Sequence, residues 1–392
     1  MEIKLSTVAL AVSLLIPFQG AHAVETKITG FGSIIGTTLL SDEGYWVKHP
    51  SGAGLYDEDV GFDIKEESLL GIQGAIKFNN KLSVTAQIIS RGQDDYNPDI
   101  EQFFVSYNAT NNWNLKLGKI RNPIYLFSDS MDVHYSFGWL RTPSTSYSLS
   151  ASFIEGLSAM YQGDILGISN RTIFSYGRAN KDPDPFLTEL FTRRNFTSKF
   201  GNGEKDPSTG EYYPLIKHKN DIKDAFGIST EFYIDDWTLH LAFMEAGGEH
   251  DVKTYSNGST FDEIYDNRDF YDVAIRYDDG NWMFIAEWNQ YVEVYSSSYL
   301  TIGKYLDDWQ FLLTKGNFDG EVVLANGFKP PNSGQEFSDT LTASVRYDIA
   351  PSIALKTELV YFENDGSLIV TDQDGDKKIE STILSVGINF IF

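Results

Sequence analysis

From residue 25 onward the apolar side chains recur at every second position almost everywhere, and no window sustains the 3.6-residue period of a helix. The chain end is the plainest case. In ESTILSVGINFIF, Thr382, Leu384, Val386, Ile388, Phe390 and Phe392 form one row; Ser381, Ser385, Gly387 and Asn389 form the other, with Ile383 and Ile391 as exceptions. A period of two commits the chain to strands with one apolar and one polar face. LLGIQGAIKF repeats the code, setting Leu70, Ile72, Ile76 and Phe78 against Gln73, Ala75 and Lys77. The next run, LSVTAQIISR, follows after only Asn79, Asn80 and Lys81, which predicts a hairpin with a tight polar turn.

Short and long connections alternate along the sequence. Short turns are expected at 79–81, 110–112, 163–164, 235–236, 278–280, 306–308 and 350–352. Long loops are expected at 41–66, 92–98, 121–150, 179–221, 248–268, 294–297, 318–336 and 365–378. Seven turns and eight loops divide the chain into sixteen strands, and both chain ends fall on the short-turn side. Trp113, Trp237, Trp282 and Trp309 each lie one or two residues after a short turn, so four of the seven tryptophans share one rim. Together with Phe392 they are expected to form an aromatic girdle at a membrane interface. A soluble sandwich has no reason to collect its tryptophans on one rim.

An even-numbered antiparallel sheet with an apolar outside and a polar inside can close into a transmembrane barrel, and closure leaves no unpaired backbone edge in lipid. The expected fold class is therefore all-β, a transmembrane antiparallel barrel of about sixteen strands occupying 24–392 as one domain. The last strand must pair with the first, KITGFGSIIGTTLL. Ahead of it, MEIKLSTVALAVSLLIPFQGAHA combines Lys4, an apolar run at 8–16, Pro17, and Ala21 and Ala23 around His22. This reads as a secretory signal peptide over 1–23, too short to cross a bilayer as a helix.

Composition narrows the partners. Lys+Arg 31 against Asp+Glu 55 gives a formal charge of -24, which leaves no basic stripe to displace phosphate counterions and argues against nucleic acid. With 42% hydrophobic and 14% aromatic residues the chain is too apolar to be disordered. The absence of cysteine removes disulfides and thiol chemistry. No metal or cofactor is expected. The stretch DQDGDKKIE at 372–380 has the oxygen-rich look of a calcium loop, but its glycine stands fourth, out of register with an EF-hand. His134, near Asp132 and Ser136, lacks a nucleophile-elbow context.

With its leader, sixteen amphipathic strands, alternating turns and loops, and terminal phenylalanine, the sequence resembles the Gram-negative outer-membrane porins. The segment LGKIRNPIYLFSDSMDVHYSFGWLRTPSTSY at 117–147 resembles, more specifically, a group of porin-like proteins with a Pro-Tyr-Ser-Asp-Asp-Trp-Arg-Pro series after the fifth strand. Here that series is Pro123, Tyr125, Ser128, Asp129, Asp132, Trp139, Arg141 and Pro143. It departs from the general porins, whose third loop carries a different acidic motif. The resemblance implies outer-membrane location, a third loop folded inward to narrow the pore, a homotrimer, contact with lipid and lipopolysaccharide, and a C-terminal strand read by the barrel-assembly machinery.

Strand parity places Lys77, Arg91, Lys116, Arg171, Arg276, Arg346, Lys356, Glu231 and Glu287 on the pore wall, with Gln73, Gln87, His240, Asp272, Asn289 and Glu358. A charge turned to the lipid midplane would cost roughly 2 to 4 kcal/mol. Asp129, Asp132, Arg121 and Arg141 are expected at the constriction, the two aspartates facing a basic wall of Lys77, Arg91 and Lys116. Opposed charges across a narrow aqueous gap orient dipolar solutes and penalise apolar ones. The expected function is passive diffusion of small hydrophilic solutes and ions. The alternatives are an outer-membrane barrel enzyme of lipase or protease type, a substrate-specific barrel transporter, and a soluble secreted β-protein. The lumen bases could equally pair within the wall, and the aspartates could cap turns inside the loop.

Overall fold

In the computed structural model the described residues are 24–41, 45–47, 55–57, 61–147, 149, 152–181, 204–205, 212–213, 215–255, 260–265, 267–320, 336–365 and 378–392. The expected leader at 1–23 lies outside them, as does 372–377 of the acidic stretch. Sixteen strands form the wall. They are β1 (Glu25–Leu39), β2 (Leu69–Lys77), β3 (Leu82–Arg91), β4 (Pro98–Asn108), β5 (Trp113–Arg121), β6 (Phe153–Ile165), β7 (Ile168–Lys181) and β8 (Leu215–Ile234). The others are β9 (Trp237–Ala246), β10 (Arg268–Asp278), β11 (Trp282–Tyr291), β12 (Tyr295–Leu306), β13 (Trp309–Gly320), β14 (Glu336–Ala350), β15 (Ile353–Asp365) and β16 (Lys378–Ile391).

Each strand pairs antiparallel with its sequence neighbour, and β1 closes the cylinder against β16, with Thr38 opposite Leu384 and Gly32 opposite Phe390. At the short-turn end the seam is tied by a reciprocal pair, Gly30 N to Phe392 O at 2.8 Å and Phe392 N to Gly30 O at 2.9 Å. A Cβ on Gly30 would fall 2.2 Å from the Phe392 ring. The terminal ring therefore lies flat across a position that only glycine leaves open.

The alternating code runs apolar-out. On β12 and β13 Leu300, Ile302, Phe311 and Leu313 are exposed on the outer surface, while Thr301 and Thr314 point inward and share a 2.8 Å hydrogen bond. Such a wall is stable only in a solvent that rewards apolar exposure, which is lipid. Trp113, Trp237, Trp282, Trp309 and Phe392 are exposed at the short-turn rim. Three of the tryptophans stand directly opposite a tyrosine on the next strand: Trp113 with Tyr161, Trp237 with Tyr277 and Trp309 with Tyr347, with ring centroids 4.5 to 5.3 Å apart.

Several connections differ from expectation. The turn expected at 163–164 is strand, and β6 and β7 turn instead at Leu166 and Gly167, both at positive φ (53° and 82°). A two-residue hairpin of this type demands left-handed backbone at both positions. Leucine rarely supplies it, so the polar Gly163-Asp164 pair looked the better turn. The long loop expected at 294–297 is a three-residue connection at 292–294. Within 248–268 the chain forms a further strand pair, Glu249–Tyr255 and Thr260–Tyr265, which extends from the start of β8.

Candidate functional site

The connection after β5, 122–152, does not stand at the long-loop rim but descends into the lumen. Tyr135 reaches the opposite end, where its hydroxyl donates to the Pro351 carbonyl at 2.7 Å in the turn between β14 and β15. Ile124, Tyr125, Phe137, Trp139, Leu140, Tyr147 and Leu149 are buried. All but Leu140 join inward side chains of β9 to β13, including Met244, Phe270, Met283, Ile285, Tyr299 and Leu312, in one apolar cluster. On this side the inner face of the strands carries large apolar residues among its polar ones. The near-continuous run WMFIAEW at 282–288 carries that signal, because a strand buried on two sides loses its alternation.

A loop buried away from a sheet needs partners for its backbone, and the wall supplies them. The Lys356 ammonium lies 2.5, 2.6 and 2.8 Å from the carbonyls of His134, Phe137 and Trp139. Arg346 Nη1 donates to the carbonyls of Tyr135 and Phe137. Glu287 accepts from Leu126 N at 2.9 Å, from Tyr147 Oη at 2.7 Å and from Tyr299 Oη at 2.5 Å. Glu358 accepts from Leu140 N at 3.2 Å. Lys356, Arg346 and Glu287 thus point inward as parity predicts, but they grip the loop instead of facing open water.

The four expected constriction residues separate. Arg141 is buried between Glu67, Glu358 and Ser385, with its Nε 3.2 Å from Glu358 Oε1. Arg121, at the end of β5, is buried against Asp132, which also meets Arg91 at 2.9 Å; Arg91 in turn holds Glu101 at 2.6 Å. Burial opposes ionisation of Asp132, but Arg121 and Arg91 overcome it and hold the carboxyl well below the usual carboxylate range. These three residues are internal ties, a correction to their expected place in a water gap. Asp129 differs. Its side chain is 52% exposed against 14% for Asp132, and it pairs with Arg171 on β7.

The inner wall of β2 to β5 is polar and partly open. Gln73, Gln87 and Gln102 bond in a ladder across β2, β3 and β4 (3.3 and 3.1 Å), and Asn114 bonds Ser106 at 2.7 Å. Lys116 lies with its ammonium 4.8 Å from the centre of the Phe104 ring. Glu231 faces Arg171 at 3.4 Å and His240 at 3.6 Å. Lys77 lies apart, at the short-turn mouth, 3.4 Å from Glu25. Asp129 thus meets Arg171 and stands near Lys116; Lys77 is not among its neighbours. Arg276 bonds Asp278 at 2.6 Å beside a cavity between the loop and β10 to β14. His134 bonds Ser33 through Nδ1 at 3.1 Å, and Ser136 Oγ donates to the Val133 carbonyl.

Sequence reasoning missed Glu67, Glu101, Tyr147 and Tyr299, which complete the buried ties. The two tyrosines lie on the polar row or in the loop, where an aromatic ring is the available clue. No local pattern marks Glu67, which belongs to a loop segment tied to β1 by the Thr37–Asp63 bridge.

No family model matches the chain, and no curated protein matches it by sequence. Solved structures match over nearly its whole length. OmpT, an outer membrane protein of Vibrio cholerae in its trimer form, covers 95% of this chain and 100% of its own at 13% identity and a TM-score of 0.53. An anion-selective porin from Comamonas acidovorans covers 94% and 100% at 13% identity and 0.52. Salmonella typhi OmpF, in complex with daunomycin, covers 94% and 98% at 11% identity and 0.54. At these identities the likeness is one of fold: a closed sixteen-stranded barrel of the outer-membrane, porin-like kind.

Proposed function

We propose that the chain is an outer-membrane porin that lets small hydrophilic solutes and ions diffuse passively through a narrow aqueous passage. The observation that carries this reading is the asymmetry of the lumen. The inward loop packs an apolar core against β9 to β13 and sets buried ion pairs against β3 to β5 and β15, while its half-exposed Asp129 pairs with Arg171 on β7, on the side of the barrel that carries the polar ladder of Gln73, Gln87 and Gln102. Water needs polar walls, and solutes crossing between a carboxylate and the cations Lys116 and Arg171 would meet a transverse field. The tryptophan rim with its tyrosine partners would seat the barrel at the headgroups, lipopolysaccharide would meet the long-loop side, and the C-terminal strand would engage the assembly machinery. Assembly is as a homotrimer, in keeping with the trimer form of the similar Vibrio cholerae protein. The leader at 1–23 would direct secretion.

The depth of the loop favours a second, narrower version of the same reading, a substrate-selective barrel channel. A loop anchored from one rim to the other leaves less cross-section than a simple constriction would. Reconstitution in a planar bilayer tests both. Discrete ohmic steps, in threes for a trimer, are expected; no steps at any voltage would remove the channel reading. Steps blocked by one solute class and not by others would favour the selective version.

A further inference from the structure

Between the loop and β10 to β14, near the short-turn rim, lies a cavity of about 220 Å³. It is distinct from the passage along β2 to β7. Phe127, Phe137, Met283, Ile285 and Tyr305 give it an apolar side, Ser136, Gln310, Asp348 and Arg346 a polar one, and Arg276 also lines it. Among the described residues Nη2 of Arg276 is bonded to Asp278 and Nε is buried without a partner, which leaves Nη1 as the donor for the cavity; the side chain is 38% exposed. The other arginine at this cavity, Arg346, has four of its five N–H groups engaged. Nε and Nη2 hold Asp348, and Nη1 holds two loop carbonyls.

We propose that this cavity binds small organic carboxylates with a single-ring apolar body, the carboxylate on Arg276 and the ring among the aromatic and aliphatic side chains. Size suits a single ring: a cavity of about 150 Å³ lined by apolar side chains holds benzene, so about 220 Å³ has room for one ring with its carboxylate. Charge sets the head group. A guanidinium with a free donor favours an anionic oxygen over a neutral one, while the apolar lining disfavours acetate, which has nothing to bury. Asp278 already neutralises part of Arg276, and Asp307 and Asp308 stand on the exposed turn at the cavity mouth. Occupancy is therefore weak, on the order of millimolar, as suits a solute that must leave again. The inference deepens the channel reading and rests on it only for the route by which the ligand arrives.

The test uses the folded full chain in detergent and 4-fluorobenzoate, followed by fluorine NMR line broadening. The expected result is saturable broadening at millimolar concentration, weakened at least five-fold in Arg276→Met, largely retained in Arg276→Lys, and at least five-fold weaker for neutral 4-fluorobenzyl alcohol on the unaltered chain. Broadening that does not saturate, or that is the same for the acid and the alcohol, overturns the proposal. The acid–alcohol comparison needs no variant, so it decides even if Arg276→Met fails to fold. Binding is read without conductance: bilayer steps without saturable binding would sink this inference alone, and binding without steps would sink the channel reading alone.

Discussion

The ammonium of Lys356 on β15 lies 2.8 Å from the carbonyl oxygen of Trp139 in the inward loop, and the same ammonium holds the carbonyls of His134 and Phe137. One wall charge thus satisfies three buried backbone acceptors that have no strand to pair with. Removing it strands the His134 and Trp139 carbonyls, at about 1–3 kcal/mol for each that water does not reach, while Phe137 keeps its bond from Arg346. Lys356→Met should therefore free the middle of the loop while leaving the sheet intact. The measurement is single-channel conductance together with limited proteolysis; larger or noisier steps and new cleavage within 133–140 are expected, with an unchanged β spectrum.

A sharper loss is expected at Arg141. Its guanidinium sits between the buried carboxylates of Glu67 and Glu358. Arg141→Gln leaves both carboxylates without their cation, and breaking a buried ion pair from one side costs roughly 3–5 kcal/mol. The variant's barrel-to-unfolded transition in denaturant should move down accordingly. Adding Glu67→Gln and Glu358→Gln should recover most of the loss, because the charges then leave together.

The two loop aspartates should respond differently. Asp129 is half exposed and faces the polar wall with Arg171 and Lys116, whereas Asp132 is enclosed by Arg121 and Arg91. Asp129→Asn should lower cation preference, read as a shift of the reversal potential in a salt gradient, with little change in stability. Asp132→Asn should lower stability and move the reversal potential less. Equal reversal shifts from the two would contradict this division.

Acid provides a fourth check. The native carboxyl of Asp132 is held below its unfolded value, near 3.9, so it adds stability above that value and loses it as pH falls through the depressed native value. The difference in melting temperature between the unaltered chain and Asp132→Asn should be constant from pH 7 to about pH 4. Below that it should shrink. A difference that grows on acidification would reverse the sign and refute the pairing with Arg121 and Arg91.

Much of the wall was legible because its code is local. Leu300, Ile302, Phe311 and Leu313 declare the lipid face by spacing alone, and Trp237 and Trp309 declare the rim by standing next to short turns. Inward direction followed for Lys116, Arg171, Glu231, Glu287 and Lys356 from the same parity. Their partners did not. Lys356 meets residues 217 to 222 positions away, and Arg141 meets Glu67 and Ser385 at separations of 74 and 244. A loop has no period from which such contacts could be read.

Alternation by itself determined that this chain becomes a closed cylinder, apolar outside, with β16 returning to β1, because a side-chain period of two admits one assignment of faces and lipid tolerates no open edge. Only the tertiary structure decided what occupies the cylinder. Whether Asp129 meets water and Asp132 does not, and whether a wall lysine lines a passage or clasps a backbone, depends on how the irregular residues of 122–152 settle against many strands at once. That choice is made by burial and by hydrogen-bond satisfaction across the lumen, neither of which any short stretch of sequence contains.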